Sequence, residues 1–434
     1  MRTDRDAIEK VLGHIDREEL ARLAMDVVSI PSPTGGEGEV ARFIADWLRT
    51  QGIDVFLQEV EKDRYNVVGV LHGTGDGPTL LYNAHMDTAL SGSVEDLMIT
   101  GEMRPEWQAQ AVREGDVIRG TGIVNDKGPL ACTLIMAKAL KQSGARLAGD
   151  VIVTGVAGEI GRAPVDQYQG PAYRGKGLGA RYLVTHGVVG DYAIVAEPSQ
   201  LRITWAQCGA AFIKLTTSGE PMYGPFVDHP ADLRESKNAV VRMATLVAAL
   251  EAWARRYEDQ HRYDFEGGTV VPKVNIGAIT GGAPFKPNFS PAVCSLFVEA
   301  FMAPGQRAVE VLREVKAAVR DSGIDARASL YLSVNGYEAK GVEPVVRAME
   351  DAHEYVRGRR PEPVRSRFTS TYADLNVFVE AGIPAIKCGP SPEEPTAKPA
   401  TGERQKLDDL LHATRMYAIA SLEIANGPVP RIGA

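Results

Sequence analysis

The sequence predicts an α/β fold in which a doubly wound, mostly parallel sheet is interrupted by an inserted ferredoxin-like domain of the order β-α-β-β-α-β. Short apolar runs, as in buried parallel strands, alternate with amphipathic helices in the first and last parts of the chain. Between them, in residues 203–337, the order changes to strand, helix, strand, strand, helix, strand. The chain has 434 residues, which is enough for two large domains.

The first domain is predicted to contain residues 1–202 and 338–434. Its first part has alternating elements, namely helices 16–29, 36–50, 129–143 and 177–186 and strands 66–71, 79–84, 151–156 and 192–196. Its second part is predicted to contain helices 342–356, 373–381 and 406–425 and strand 384–387. Segment 389–405 has four prolines and no periodicity, which indicates a loop.

The inserted domain is predicted to contain residues 203–337. Its elements in chain order are strand 203–217, helix 236–257, strands 269–279 and 291–302, helix 306–321 and strand 325–334. This order is the ferredoxin-like one.

Composition excludes several classes of function. The net charge is −8, from 48 basic and 56 acidic residues, which argues against nucleic acid or an anionic membrane as the main partner. The four cysteines lie far apart, so no C-x-x-C zinc or redox site is present. No apolar stretch is long enough to span a membrane and the first residues are charged, so we expect a cytoplasmic protein with a small-molecule substrate.

Ionisable side chains follow three of the predicted strands. His85 and Asp87 follow the second strand, Glu159 follows the third and Glu197 follows the fourth, while Asp126 precedes helix 129–143. Ligands of open α/β sheets bind beyond the carboxyl ends of the strands, so we expect these side chains to meet at one edge.

One histidine with several carboxylates is a ligand set for zinc, manganese or cobalt rather than calcium. The Asp87 carboxylate is expected to accept the other ring N–H of His85 and so fix its tautomer. Each residue alone has a simpler interpretation: a core histidine for His85, a helix N-cap for Asp126, and solvated carboxylates for Glu159 and Glu197. Their joint placement favours a metal site.

Five segments then form an ordered set of motifs. They are Leu81-Tyr-Asn-Ala-His85-Met-Asp87, Gly120-Thr-Gly-Ile-Val-Asn-Asp126-Lys-Gly128, the loop of Glu159, Ala196-Glu197-Pro198 and Gly382-Ile-Pro-Ala-Ile-Lys-Cys-Gly-Pro390. With this set the chain resembles, over nearly its whole length, the metallo-amidohydrolases that include aminoacylase, acetylornithine deacetylase, succinyl-diaminopimelate desuccinylase and the glutamate-releasing carboxypeptidases. The resemblance implies hydrolysis of a carbon–nitrogen bond by metal-activated water, with the inserted domain as lid and dimerisation domain.

The resemblance also implies roles for individual residues. Two metals would share Asp126 as a bridging ligand, one of them also bound by His85 and Glu197. The other metal would take Glu159 and a histidine from a late loop. A further Glu just before the position of Glu159 would be the general base, and the inserted domain would lend a His to the partner's site.

Four positions depart from this pattern. Gly158 stands at the position of the base, Pro399 at that of the late-loop histidine, Tyr223 at that of the lid histidine, and Phe301 at that of a substrate-binding arginine. We therefore expect one tightly bound divalent metal per chain rather than two. Glu159 is then either a ligand or the general base, and the nearest candidate for the lid histidine is His229.

Further residues are substrate candidates by the same resemblance. Asn238 matches a substrate-binding position but is equally a helix cap. Tyr372 and Asp374 lie in a loop that faces the site in the family, and Asp374 is equally an N-cap. Independently of the resemblance, Arg162 and Arg174 flank the metal loops in an insertion, residues 162–176, and could hold an anionic substrate.

The predicted reaction is cleavage of an N-acyl amino acid or dipeptide amide by a homodimer joined through the inserted domain. Two alternatives stay open. One is hydrolytic deamination of an activated aryl amine, as in 5-nitroanthranilate aminohydrolase, an atypical member of the family. The other is a non-catalytic binding homologue.

Overall fold

The computed structural model describes residues 3–364, 366–390 and 402–429, and these form two compact units. The first unit contains the described residues of Met1–Trp205, Glu338–Val364 and Ala373–Ala434, and the second contains those of Ala206–Tyr337 and Arg365–Tyr372. The last of these segments differs from the prediction, which assigned residues 338–434 to the first domain. It groups with the second unit because Thr369 donates through Oγ1 to the Thr269 carbonyl (2.6 Å) and accepts from the Cys208 N–H (3.1 Å).

A six-stranded sheet forms the centre of the first unit. Its spatial order is Asp54–Glu61, Arg64–Leu71, Val151–Val156, Leu80–His85, Tyr192–Val195 and Ala385–Lys387. The first two strands are antiparallel to their neighbours and the last four are parallel to one another. The mostly parallel sheet predicted from the apolar runs is therefore confirmed.

Helices cover both faces of this sheet, as a doubly wound fold requires. Leu80, Tyr82 and Ala84 of the central strand enter one apolar core and Leu81 enters the other, because successive strand residues point to opposite faces. The α-helices of the first unit are Arg5–Leu12, Arg17–Ser29, Gly38–Thr50, Leu97–Thr100, Lys127–Ser143, Leu178–Thr185, Glu343–Arg357, Leu375–Glu380 and Leu407–Ala425.

A small antiparallel sheet in the first unit was not predicted. It consists of the strands Val112–Glu114, Val117–Arg119 and Arg404–Lys406. The expectation that all of 389–405 is a loop is therefore wrong at its end, where Gln405 pairs with Ile118. The pairing satisfies the backbone of a polar segment that carries no apolar alternation. Residues 391–401, which include Pro399, lie outside the described residues.

The second unit has the predicted ferredoxin-like order. Four antiparallel strands lie in the spatial order Val274–Gly281, Val293–Met302, Gly209–Ser218 and Ala326–Val334. Helices Ala239–Gln260 and Ala308–Ser322 cover one face of this sheet, and their buried residues share a core with its strands. The shorter elements are the strands Ala206–Gln207, Met222–Tyr223, Tyr263–Phe265, Gly268–Val270, Phe289–Ser290 and Tyr337–Glu338 and the helix Ser366–Thr369.

No helix within the described parts of the chain has the length and apolar character needed to cross a bilayer.

Candidate metal centre

Three side chains of the first unit converge where its central strands end. His85 is the last residue of Leu80–His85, Glu197 follows Tyr192–Val195, and Asp126 precedes helix Lys127–Ser143. One candidate ligand atom from each of these three buried residues lies within 4.8 Å of those of the others. The parallel pairing of the strands brings their carboxyl ends to one edge, which is why residues far apart in sequence meet there.

The ring of His85 is oriented by the segment that follows it. Nδ1 lies 3.0 Å from the backbone carbonyl of Asp87 and 3.4 Å from its carboxylate. The sequence argument named the carboxylate as acceptor, but the carbonyl is the nearer partner. A proton on Nδ1 leaves the lone pair of Nε2 for a ligand role. Burial alone would lower the pKa of His85, but the hydrogen bond with Asp87 and the negative charges of Asp126 and Glu159 raise it well above its ordinary value.

The Asp87 carboxylate holds the next loop in place. It accepts the backbone N–H groups of Glu159 (2.9 Å) and Ile160 (3.1 Å) and the Thr34 hydroxyl (2.7 Å). Burial would raise the pKa of Asp87, but its contacts with His85 and with these donors lower it. Asp87 therefore connects the orientation of His85 with the position of Glu159.

Glu159 lies at the edge of the cluster. Its Oε2 is 3.7 Å from Nε2 of His85, and its side chain is buried. Burial and then the charge of Glu197 raise the pKa of Glu159 well above its ordinary value. The position is compatible with a ligand and with a general base, so both interpretations remain open.

The residues present fit a divalent cation. Oδ1 of Asp126 and Oε1 of Glu197 are buried and accept no hydrogen bond from the described residues. Burial and repulsion by Glu197 raise the pKa of Asp126 well above its ordinary value, although the charge of His85 opposes the shift. A cation would supply the missing partner for both oxygens. One imidazole nitrogen with carboxylate oxygens is the donor set that zinc, manganese and cobalt share.

The structure adds one residue that sequence reasoning did not name, Lys387, and decides between the two interpretations of Asp374, as part of a loop that faces the site or as an N-cap. Asp374 was considered an N-cap, but its side chain makes no cap hydrogen bond; Oδ2 instead accepts the Asn83 amide at 3.0 Å. Burial and repulsion by Glu197 raise the pKa of Asp374 to about 7. Lys387 is buried with Nζ 3.7 Å from Oε2 of Glu197. A lysine in the otherwise apolar strand Ala385–Lys387 was the sequence signal for this residue.

A buried arginine attaches the loop of Glu159 to the rest of the unit. Arg64 is fully buried and donates to both carboxylate oxygens of Glu37, at 2.9 and 2.8 Å, and to Glu61 at 2.8 Å. Its remaining N–H groups donate to the carbonyls of Pro171 and Arg174, each at 3.1 Å. Both carbonyls belong to the segment 162–176, which follows Glu159. The five N–H donors of the guanidinium are thus all used.

We call this set of hydrogen bonds from Arg64 to Glu37, Glu61 and the two carbonyls the Arg64 clamp. The clamp explains the glycine at position 158. Gly158 has φ +69°, and a Cβ atom there would lie 2.6 Å from Nη2 of Arg64 and 2.9 Å from the Arg174 carbonyl. A glutamate at the family's base position therefore cannot fit while Arg64 holds this loop.

The other candidate residues lie in the second unit. Tyr223 is 46% exposed and packs against the rings of Phe226 and Phe289. His229 is exposed, and Tyr372 is buried. Their catalytic or substrate-binding roles stay predictions.

Asn238 is a helix cap in the structure. Its Oδ1 accepts the N–H groups of Val240 (2.9 Å) and Val241 (3.4 Å) at the start of helix Ala239–Gln260. The cap uses the side-chain oxygen of Asn238. A role in substrate binding is compatible with this cap and stays a prediction.

Arg162 and Arg174, in the segment 162–176, make structural contacts. The Arg174 side chain pairs with Glu61, and Arg162 donates weakly to the Ala172 carbonyl at 3.4 Å. Arg174 thus attaches the segment 162–176 to strand Asp54–Glu61, and Arg162 makes a contact within the segment. Substrate binding by either of them stays a prediction.

Comparison with known proteins places the chain in a family. The sequence model of the family described as peptidase family M20/M25/M40 matches residues 81–423. An N-formyl-4-amino-5-aminomethyl-2-methylpyrimidine deformylase from Halalkalibacterium halodurans is 25% identical, with 94% of this chain and 95% of that protein covered. The deformylase of the same name from Bacillus subtilis is also 25% identical, with 88% and 89% covered. The crystal structure of a tripeptidase from Staphylococcus aureus aligns with a TM-score of 0.69 and 17% identity over 96% of this chain and all of that one, which shows a shared fold.

Proposed function

The chain belongs to peptidase family M20/M25/M40 and is a hydrolase of carbon–nitrogen bonds, and on this basis we propose that it cleaves a small-molecule amide at a divalent cation held by His85, Asp126 and Glu197. The observation that supports the metal site most directly is the pair of buried carboxylate oxygens on Asp126 and Glu197 that accept no hydrogen bond from the described residues.

One manganese, zinc or cobalt ion per chain suits this donor set. A divalent ion in such a site makes water more acidic and stabilises the negative charge that develops during amide hydrolysis. The protein holds the ligands in place beforehand: Asp87 orients His85 through its carbonyl, and the Asp126 carboxylate accepts the His85 backbone N–H at 3.3 Å.

Glu159 is the proposed general base. Its backbone N–H is fixed by Asp87, and its carboxylate reaches the cluster. A carboxylate whose pKa burial raises can take a proton from water and return it to the departing nitrogen near neutral pH. Gly158 offers no side chain for this role, which leaves Glu159 as the acid of this loop.

The proposed substrate is an N-acyl amine with a bulky or aromatic group. The two deformylases act on an N-formyl aminomethylpyrimidine by their names. Phe301 stands where the family's arginine grips a carboxylate, and we propose that Tyr223 donates one uncharged hydrogen bond in place of the lid histidine. Asn238 and Tyr372 would contact the substrate. We therefore expect weak activity on N-acetylornithine and on succinyl-diaminopimelate.

We further propose a homodimer formed through the second unit. Val274–Gly281 is an edge strand of its sheet, and Ile279 on it is 55% exposed. Such an edge can pair with its own copy across a two-fold axis, and the exposed His229 would then serve the partner's site. The four cysteines are free thiols, which suits the reducing cytoplasm that we propose as the location.

Metal analysis and a substrate panel test the function together. The protein is desalted after loading with manganese or zinc, its metal content is measured, and amide substrates are compared: N-formylbenzylamine, N-acetylornithine and a dipeptide set. We expect retained metal and the highest rate on the aromatic formamide. Ammonia release from an electron-poor aminobenzoate instead would indicate deamination, and absence of both metal and turnover would contradict the proposal.

A further inference from the structure

A polar cavity of about 220 Å³ lies in the first unit, and none of its lining residues is a candidate metal ligand. Its wall includes one buried histidine, His353, and the three arginines Arg202, Arg357 and Arg359. His353 and Arg357 belong to the C-terminal part of helix Glu343–Arg357, and Arg359 follows its end. Arg202 comes from the segment that follows the strand Tyr192–Val195.

The three arginines share the two carboxylates that line the cavity in the described part of the chain. Glu362 accepts from Arg202 at 2.7 Å and lies 3.5 Å from Arg359. Asp409 lies 3.8 Å from Arg357, which is too far for a hydrogen bond. The side chains of Arg202 and Arg357 are only 17% and 27% exposed. Because each guanidinium has five N–H donors, the wall carries an excess of donors and of positive charge.

His353 is the most deeply buried polar side chain of this wall. It is 4% exposed, and its Nδ1 donates to the Arg359 carbonyl at 2.6 Å. Its other nitrogen, Nε2, has no hydrogen-bond partner among the described residues. Burial lowers the pKa of His353, and the charges of Arg357 and Arg359 lower it further, although the hydrogen bond to the carbonyl opposes this shift. An anion in the cavity would offset the positive charge that acts on this ring.

The segment that carries Arg202 has an unusual backbone conformation. Gln200 and Leu201 have φ values of +58° and +56°, in the left-handed region that is costly for residues other than glycine. Ser199 fixes the turn, because its hydroxyl donates to the Arg202 carbonyl at 2.6 Å and its carbonyl accepts the Arg202 N–H at 3.1 Å. Strained backbone of this kind is found most often at functional sites. The position of Arg202 in the wall is therefore fixed before any ligand binds.

We propose that this cavity binds the phosphate group of a small anion, with Arg202, Arg357 and Arg359 as its donors. Guanidinium groups bind phosphate through paired N–H donors and keep their charge at physiological pH. The cavity is many times larger than the about 10–15 Å³ that one water molecule needs, so it can admit an ion of five heavy atoms. This site goes beyond the proposed function and does not depend on it.

The surrounding charges leave a net attraction for an anion. The C-terminal end of helix Glu343–Arg357 alone would disfavour a negative charge, whereas the N-terminal end of Leu407–Ala425, which carries Asp409 in its first turn, has the opposite polarity. With His353 neutral, three guanidinium groups against two carboxylates leave one positive charge in the wall. The arginines therefore supply the binding energy.

The experiment compares the full-length wild type with Arg359→Met, Arg357→Met and Arg360→Met. Arg360→Met is the matched control, because it removes the same charge from a side chain that is as exposed as that of Arg359, 56% against 60%, and that does not line the cavity. Each protein is titrated by calorimetry at constant ionic strength with inorganic phosphate, glycerol phosphate and succinate, as isolated and after treatment with a chelator. Melting temperatures are measured with and without phosphate.

We expect saturable binding of one phosphate group per chain, and a higher melting temperature with phosphate, in the wild type and in Arg360→Met. Binding should be at least about tenfold weaker in Arg359→Met and in Arg357→Met, since each variant loses charge-assisted hydrogen bonds. Tighter binding of glycerol phosphate than of inorganic phosphate would support the proposal with a phosphorylated metabolite as ligand. The reverse order, or equal affinity, would support it with the free ion as ligand.

Four results would overturn the proposal. The first is the absence of saturable phosphate and glycerol phosphate binding in the wild type. The second is an equal loss of binding in Arg360→Met, which would indicate a general effect of charge. The third is succinate binding as tight as that of phosphate, and the fourth is phosphate binding that the chelator abolishes and that Arg359→Met leaves unchanged. Arg359 is an exposed residue, so its variant decides the question even where Arg357→Met does not fold.

Discussion

The substitution Arg64→Met should destabilise the first unit and displace the loop of Glu159. Arg64 and Glu37 form a fully buried ion pair with two hydrogen bonds, at 2.8 and 2.9 Å. Removing one partner of a buried pair leaves an uncompensated charge and typically costs about 3–5 kcal/mol. The half-buried Glu61 and the carbonyls of Pro171 and Arg174 would also lose a donor, but they can turn to water at smaller cost.

The free energy of unfolding, measured with urea by circular dichroism on metal-free protein, gives the magnitude. We expect a loss of about 3–5 kcal/mol for Arg64→Met. The double variant Arg64→Met/Glu37→Gln should recover most of this loss, because a neutral amide replaces the unpaired carboxylate. Arg42→Met is the matched control: Arg42 pairs with Asp63 at 3.3 Å on the surface, and such a pair contributes about 0–1 kcal/mol.

The same variants report on the positioning of Glu159. With the clamp released, we expect kcat to fall while metal affinity stays near that of the wild type, since no ligand of the cluster contacts Arg64. A loss of stability below about 1 kcal/mol in Arg64→Met would refute this reasoning, as would a double variant no more stable than the single one.

Three further predictions concern the base, a buried histidine and the second unit. Glu159→Gln should lower kcat by about 10²–10⁴-fold with unchanged metal content, whereas a parallel loss of metal would make Glu159 a ligand. Burial lowers the pKa of His353, so the folded state favours its neutral form; stability should be full above the ordinary pKa of 6.5 and fall as the pH drops below it. His353→Gln should flatten this slope in urea unfolding between pH 7 and 5, and a slope unchanged from the wild type would contradict the prediction. Light scattering should give twice the 46.8 kDa chain mass, and Ile279→Lys on the exposed edge strand should give the monomer; a wild-type monomer would contradict the dimer.

The fold was largely predictable because its central strands are buried on both faces. Val151–Val156 has no exposed residue, so it appears in the sequence as a continuous apolar run, and its bounds were predicted correctly. The edge strand Asp54–Glu61 was missed because it is partly exposed along its length and carries acidic residues at positions that face water. The strand Arg404–Lys406 was missed because its pairing with Val117–Arg119 is a long-range contact with no local pattern.

The cluster itself was predictable to the extent that it depends on residues at strand ends. His85, Asp126 and Glu197 each occupy a position next to an element whose type the sequence shows, and the structure brings them within 4.8 Å. Lys387 and Arg64 were not predictable in this way. Their partners lie far away in the chain, as for Arg64 and Pro171, 107 residues apart, and only strand order and side-chain direction bring them together.

One departure from the family pattern, at Gly158, has a structural explanation in Arg64. Gly158 replaces the expected base, and the space that a side chain would need there holds Arg64, which attaches the segment 162–176 to Glu37 and Glu61. A chain that was losing its activity would have no reason to keep a buried arginine ion pair behind the Glu159 loop. The departure at Gly158 is therefore better explained as part of a rebuilt site, which supports the proposal that Glu159 is the general base.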